Sequence, residues 1–201
     1  VYAIAYAEGH QNVYLTNRGN EVSEIALSTA NLRGPYQAAL DANSNIILRT
    51  KKKTEAGATI YPPIAQIKLP VDIKEPLMIL VPSSGNQPYE ALIIDRSLES
   101  FPAGSYLLIN LSSVDIRGRV GNTEITVPAE SVSSAFSPSG EEDLLEVHFE
   151  YERPNQWKTF ARTRWGKEES KRSLLLAYQD PKTKRKKIKG ISVKRLASTN
   201  E

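Results

Sequence analysis

Trp157 and Trp165 flank Arg162 and Arg164, a grouping with the residue types to hold a ligand. An exposed indole with polar neighbours stacks on a sugar ring, and a guanidinium over an indole makes a cation–π contact. The competing use is structural, with at least one of the two indoles filling a core. A second group lies near the C-terminal end, where Lys182, Lys184, Arg185, Lys186, Lys187 and Lys189 crowd a short polar stretch. Clustered cations attract polyanions and release counterions on binding them. No aromatic platform or docking motif accompanies this cluster in the sequence, so specific nucleic-acid recognition is not expected. A solvated basic hairpin is the plain reading, and for an exported chain an anionic envelope polymer or another envelope protein is the natural partner.

The acids Glu141, Glu142, Asp143, Glu146, Glu150 and Glu152 invite comparison with a glycosidase, which needs two carboxyl groups at a fixed separation across a cleft. Glu146, Glu150 and Glu152 are evenly spaced and share one strand face if no bulge intervenes, the pattern of a solvated surface. His10 and His148 are the two histidines, too few for a metal site, which needs three or more converging ligands. Glu8 is the one acid beside His10, and a polar loop is the simpler account of that segment. No G-x-S-x-G elbow, phosphate-cradling glycine loop or H-E-x-x-H helix occurs. Zero cysteines exclude disulfides, thiolate ligands and a cysteine nucleophile. The expectation is therefore a non-enzymatic chain with no catalytic residues, metal or cofactor.

Such residues must be positioned by strands. The runs at residues 12–17, 46–49, 105–110 and 144–151 are short, rich in β-branched and aromatic residues, and bounded by turn formers. Turns recur at 17–20, 83–86, 102–105, 120–123 and 138–140, where Gly and Asn accept positive φ and Pro lacks a ladder donor. Twelve prolines also oppose long helices, and the best helical candidate, residues 166–171, is polar and too short to stand alone. The longest apolar runs, 77–81 and 174–178, are about a quarter of a transmembrane helix, so no membrane span is expected.

Two charge patterns follow from the same reading. The net charge of +3 conceals eight basic residues and no acids within 182–195, leaving eighteen basic against twenty-three acidic residues elsewhere, a net −5. Lys51, Lys52 and Lys53 and the later cluster also suit exposed strand edges, where lysine discourages pairing with another chain.

The chain also resembles itself. Residues 75–82, a polar turn and 92–95 have a counterpart in 172–179, a polar turn and 188–193, each reading as a hairpin that closes one half. Tyr14-Leu15-Thr16-Asn17 is similar to Leu107-Leu108-Ile109-Asn110, and residues 40–44 to 127–131, with offsets near 90 residues and the order preserved. These matches predict an all-β chain of two tandem, duplicated, immunoglobulin-like β-sandwich halves, residues 1–98 and 99–201, the second carrying the basic C-terminal hairpin.

Phe101-Pro102-Ala103-Gly104-Ser105, then Ile109-Asn110-Leu111-Ser112 and Arg117-Gly118-Arg119-Val120-Gly121, resemble a pattern in uncharacterised secreted proteins of environmental bacteria. Trp157, Trp165, residues 171–176 and Asp180-Pro181 extend the resemblance over roughly residues 77–193. It implies an exported protein, periplasmic or secreted, and supplies no active-site residues to carry over. The opening Val1-Tyr2-Ala3-Ile4 fits a mature chain whose signal peptide is absent. Together these readings point to an envelope-associated binding or structural module. The alternatives are a carbohydrate-binding accessory protein using Trp157, Arg162, Arg164 and Trp165, or a glycosidase using the acids of 141–152.

Overall fold

The computed structural model describes residues 1–140, 143–180 and 183–193, so Glu141, Glu142, Lys182 and the cations beyond residue 193 lie outside it. Among the described residues every regular element is a strand, and no helix is long and apolar enough to cross a membrane. The chain divides into two compact units, Val1–Arg96 and Ser97–Glu201.

The first unit contains β1 (Tyr2–Ala3), β2 (Asn12–Thr16), β3 (Val22–Ala26), β4 (Asn45–Arg49), β5 (Lys52–Lys53), β6 (Thr59–Ile60), β7 (Pro63–Lys68), β8 (Pro76–Pro82) and β9 (Tyr89–Asp95). One sheet has the order β1-β8-β9, with β1 parallel to β8. The other has the order β3-β2-β4-β7 and is antiparallel throughout, while β5 and β6 form a separate ribbon. Alternate residues of both sheets meet in one core: Ala3, Met78 and Leu80 from the first, Val13, Leu15, Ile25, Ile46, Leu48, Ala65 and Ile67 from the second. Tyr89 is fully buried there and uses its hydroxyl twice, accepting from the Ala7 N–H and donating to the His10 carbonyl. That phenol ties the loop before β2 to the sheet and leaves no buried hydroxyl unpaired.

The second unit contains β10 (Tyr106–Asn110), β11 (Ile116–Val120), β12 (Thr123–Val127), β13 (Ser131–Val132), β14 (Leu144–Arg153), β15 (Gln156–Gly166), β16 (Arg172–Gln179) and β17 (Lys186–Val193). Its sheets run β13-β10-β16-β17, with β10 parallel to β16, and β12-β11-β14-β15. Tyr106, Leu108, Leu175 and Ala177 of one sheet pack on Ile116, Val120, Val127, Leu145, Val147 and Phe149 of the other. Both units thus share one pairing order: a first strand parallel to the penultimate, a closing hairpin, and a four-stranded sheet in which the hairpin of the unit's second and third strands forms one edge. In an immunoglobulin sandwich the third strand joins the sheet of the sixth and seventh. Here β3 and β12 pair instead with the strands immediately before them.

The expected hairpins at 75–95 and 172–193 form as β8–β9 and β16–β17. The likeness of residues 14–17 to 107–110 does not mark equivalent strands, because β2 occupies the place of β11 and β10 that of β1. Residues 166–171 form no helix: Gly166 ends β15, and the polar stretch makes a turn in which the Lys171 N–H donates to the Glu168 carbonyl at 3.2 Å. So short a polar segment cannot offset the cost of helix nucleation.

Candidate functional site

The β12-β11-β14-β15 sheet presents one face to the core and the other outward. Strict alternation would place Trp157 and Trp165, eight residues apart, on the same face. The β14·β15 register breaks between Phe149 and Glu150: Phe149 pairs with Ala161, Glu150 with Thr159, and Phe160 is the extra residue. This bulge turns Phe160 inward, 6.3 Å from Phe149 and 6.0 Å from Tyr151 between ring centroids, and reverses the facing of everything beyond it. Trp165, opposite buried Leu145, stacks on Tyr106 at 6.0 Å and belongs to the core. Trp157 lies on the outer face with Arg162 and Arg164.

The cation over the Trp157 indole is neither of those arginines. It is Arg117, on β11, whose guanidinium lies 4.5 Å from the ring centroid. Arg117 faces Glu150 across the ladder and donates through Nε and Nη2 to Oε2, both at 2.8 Å. The other oxygen, Oε1, accepts from Thr159 Oγ1 at 3.3 Å, and Thr159 Oγ1 lies 2.9 Å from His148 Nε2. These partners, Arg117 foremost, hold the Glu150 carboxyl below its ordinary range. Arg164 and Arg119 reach Glu146 at 3.7 and 3.6 Å, while Arg162 stands opposite His148 without a hydrogen bond or ion pair among the described residues. Glu146, Glu150 and Glu152 do share one face of β14, and the first two are neutralised by arginine. An open depression of about 680 Å³ beside this network is lined by Arg119, Arg164 and a single described carboxylate, Glu146.

The basic hairpin approaches the same end of the sandwich. Pro154 and left-handed Asn155 turn β14 into β15 between the paired residues Arg153 and Gln156, the pattern of a type II turn. In the β16–β17 turn, Asp180 accepts the Thr183 N–H through Oδ1 and Lys187 Nζ through Oδ2, so Lys187 is neutralised. Lys186, on the opposite side of β17 from Lys187, reaches over Tyr151 with Nζ 6.0 Å from the ring centroid. Arg153 lies 5.3 Å from the same ring. Lys158 pairs with Tyr151 in the ladder and shares its face. Partial burial lowers the pKa of Lys186, a cation stripped of some of its water. Among the described residues Arg153, Lys158, Lys184 and Arg185 have no carboxylate partner, and Lys186 bonds only the Gln179 side-chain oxygen at 3.3 Å.

The structure therefore splits the tryptophan–arginine group, and the basic hairpin meets Tyr151 and Arg153 rather than either tryptophan. Arg117, Arg153 and Tyr151 are the members of these cation–ring contacts that sequence spacing misses. For Arg117 and Lys186 the approach to an aromatic ring depends on pairing between strands distant in the chain. Elsewhere, His10 sits in a turn with its N–H on the Ala7 carbonyl, and among the described residues no group of three or more His, Asp or Glu side chains is arranged to hold a metal. No family model matches the sequence, and no curated protein matches it.

Proposed function

We propose that the chain is an exported, non-enzymatic, envelope-associated binding module that attaches to an anionic polysaccharide through the end of the second unit. The observation that carries this reading is the Tyr151 ring approached by both Arg153 and Lys186, with Lys158 opposite it in the ladder, Lys184 and Arg185 in the turn that leads into Lys186, and no carboxylate neutralising any of the five among the described residues. Cations over aromatic faces with further unpaired cations beside them suit a ligand that offers both negative charge and flat ring surface. The export part of the proposal rests on the resemblance of residues 77–193 to secreted bacterial proteins. Trp157 supports the polysaccharide part, because Arg117 and Glu150 hold its indole in place on the outer face.

Affinity electrophoresis of the whole chain through gels containing dextran sulfate or uncharged dextran tests the reading. The wild-type chain is expected to be retarded by dextran sulfate alone, and the Arg153→Gln/Lys186→Gln variant to lose most of that retardation. Equal retardation of variant and wild type, or none for either, overturns the proposal.

A further inference from the structure

The ladders of the two units align residue by residue around their bulges. In β4·β7 the register breaks between Leu48 and Arg49, and in β14·β15 between Phe149 and Glu150. Before the break Leu48 pairs with Ala65 and Phe149 with Ala161. After it Arg49 pairs with Pro63 and Glu150 with Thr159. The extra residues, Ile64 and Phe160, both pack against their own core. The neighbouring strand keeps the correspondence, since Tyr14 pairs with Arg49 as Arg117 pairs with Glu150. Tyr61, two residues before Pro63, therefore stands where Trp157 stands two residues before Thr159.

The chemistry recurs with the geometry. Tyr61 packs on Tyr14 with centroids 5.2 Å apart, across the same strands over which Trp157 meets Arg117. Arg49 donates through Nη1 to the Tyr61 carbonyl at 3.0 Å and makes no ion pair among the described residues, while the Tyr14 hydroxyl donates to Glu24 Oε2 at 2.9 Å on the other side of the tyrosine pair. Where β14 continues past the bulge into Tyr151 and Arg153, β4 ends at Arg49 and the chain runs on into Lys51, Lys52 and Lys53, all exposed, the last two forming β5 of the separate β5–β6 ribbon. None of these three lysines makes an ion pair among the described residues. Residues 50–62 hold one acid, Glu55.

We infer that the first unit carries a second polysaccharide-binding surface, made of Lys51, Lys52, Lys53, Arg49, Tyr14 and Tyr61, that takes the same ring-bearing polyanion as the second unit. The inference rests on the polysaccharide reading above and adds a second attachment point on the same chain. A polymer that repeats its charged rings offers a binding segment to each surface. Edge protection accounts for exposed lysines on a short strand. It does not account for an arginine without an ion pair among the described residues and a tyrosine pair at the matching register.

The test compares the wild-type chain with Lys51→Gln/Lys52→Gln/Lys53→Gln, Arg153→Gln/Lys186→Gln and Tyr61→Ala, using dextran sulfate, uncharged dextran and ringless polyphosphate as probes. Unfolding midpoints confirm that each variant is folded. The triple lysine variant is expected to bind dextran sulfate on the order of tenfold more weakly, with the salt slope of log affinity reduced by up to about one per lysine. Tyr61→Ala is expected to weaken dextran sulfate binding several-fold and leave polyphosphate binding unchanged. Full dextran sulfate affinity in the triple variant, with loss in Arg153→Gln/Lys186→Gln, overturns the second surface and leaves the first standing. Loss in the triple variant with none in the double variant overturns the site in the second unit and keeps this one. A wild-type chain that binds neither polyanion overturns both.

Discussion

Replacing Gly118 with alanine tests how tightly Phe149 is packed against β11 in the second unit. Gly118 lies in the middle of β11, paired with Phe149 on one side and Ile125 on the other. A Cβ there would sit 2.2 and 2.5 Å from Phe149 Cδ1 and Cε1 and 2.7 Å from the His148 carbonyl oxygen. Carbon atoms in contact prefer about 3.5–4.0 Å, so the ring must retreat by more than about 1 Å. Phe149 is fully buried, with Phe160 at 6.3 Å and Trp165 at 6.4 Å between centroids, and its retreat from β11 is closed by its own core. Overpacking of this kind costs about 1–3 kcal/mol, and a clash with both ring and backbone belongs at the upper end. About 3 kcal/mol lowers the melting point of a domain near 100 residues by roughly 12–24 °C. Trp157 and Trp165, the two tryptophans of the chain, both lie on β15, so urea unfolding followed by indole fluorescence reports the second unit. Gly118→Ala/Phe149→Leu restores room for the methyl group and is expected to recover at least about 1 kcal/mol relative to the sum of the single effects. A Gly118→Ala chain within about 0.5 kcal/mol of wild type, or strict additivity in the double variant, refutes the argument.

Asn110 is fully buried, and its amide donates to the carbonyls of Val114, Val127 and Pro128 at 2.8, 3.1 and 2.9 Å, while Oδ1 accepts from the Ser112 N–H and hydroxyl. Asn110→Asp removes the donors and aims a carboxylate at three carbonyls; chemical denaturation is expected to show a loss of about 3 kcal/mol or more at neutral pH, partly recovered as the acid protonates. For Glu150, whose pKa in the folded chain is depressed from 4.5 chiefly by Arg117, the resulting stability is present above that ordinary value and fades as pH falls through the folded pKa. Arg117→Ala is expected to raise the Glu150 pKa in a carboxyl NMR titration. The stability gap between this variant and wild type should be present above the ordinary carboxyl value of 4.5 and close as pH falls below it through the folded pKa; a gap independent of pH counts against the ion pair.

Local pattern reveals much of this architecture and little of its surface chemistry. The closing hairpins are legible because β8 and β16 are continuous apolar runs followed by polar turns, and the strands at 12–16, 45–49 and 106–110 follow from composition and turn residues. Their equivalence is not legible: Tyr14-Leu15-Thr16 and Leu107-Leu108-Ile109 look alike, yet only parallel pairing distant in the chain makes β10 the counterpart of the two-residue β1. The bulge hides the rest. Period-two reasoning groups Trp157 with Trp165 and separates both from Arg162 and Arg164; one inserted residue, Phe160, reverses the assignment for Trp157.

The residues that carry the resemblance to secreted proteins have structural roles. Phe101 is fully buried, and Ser105 Oγ closes its turn on the Pro102 carbonyl at 2.6 Å. Gly104, at φ 72°, would bring a Cβ within 2.8 Å of the Glu169 carbonyl, and Gly121, at φ 60°, within 2.3 Å of the Ser139 carbonyl. Asn110 and Ser112 clasp the turn between β10 and β11, and Gly118 admits Phe149. Such residues fix the backbone. At each of the two bulges the extra apolar residue stays with the core and the strand beyond it turns over, so the same ladder position presents Tyr61 in one unit and Trp157 in the other. Because the core holds the bulge in place, the side chains around it can change without altering the fold. That freedom explains how one register carries Tyr14 and Arg49 in the first unit and Arg117 and Glu150 in the second, each set placing an aromatic ring beside a cation.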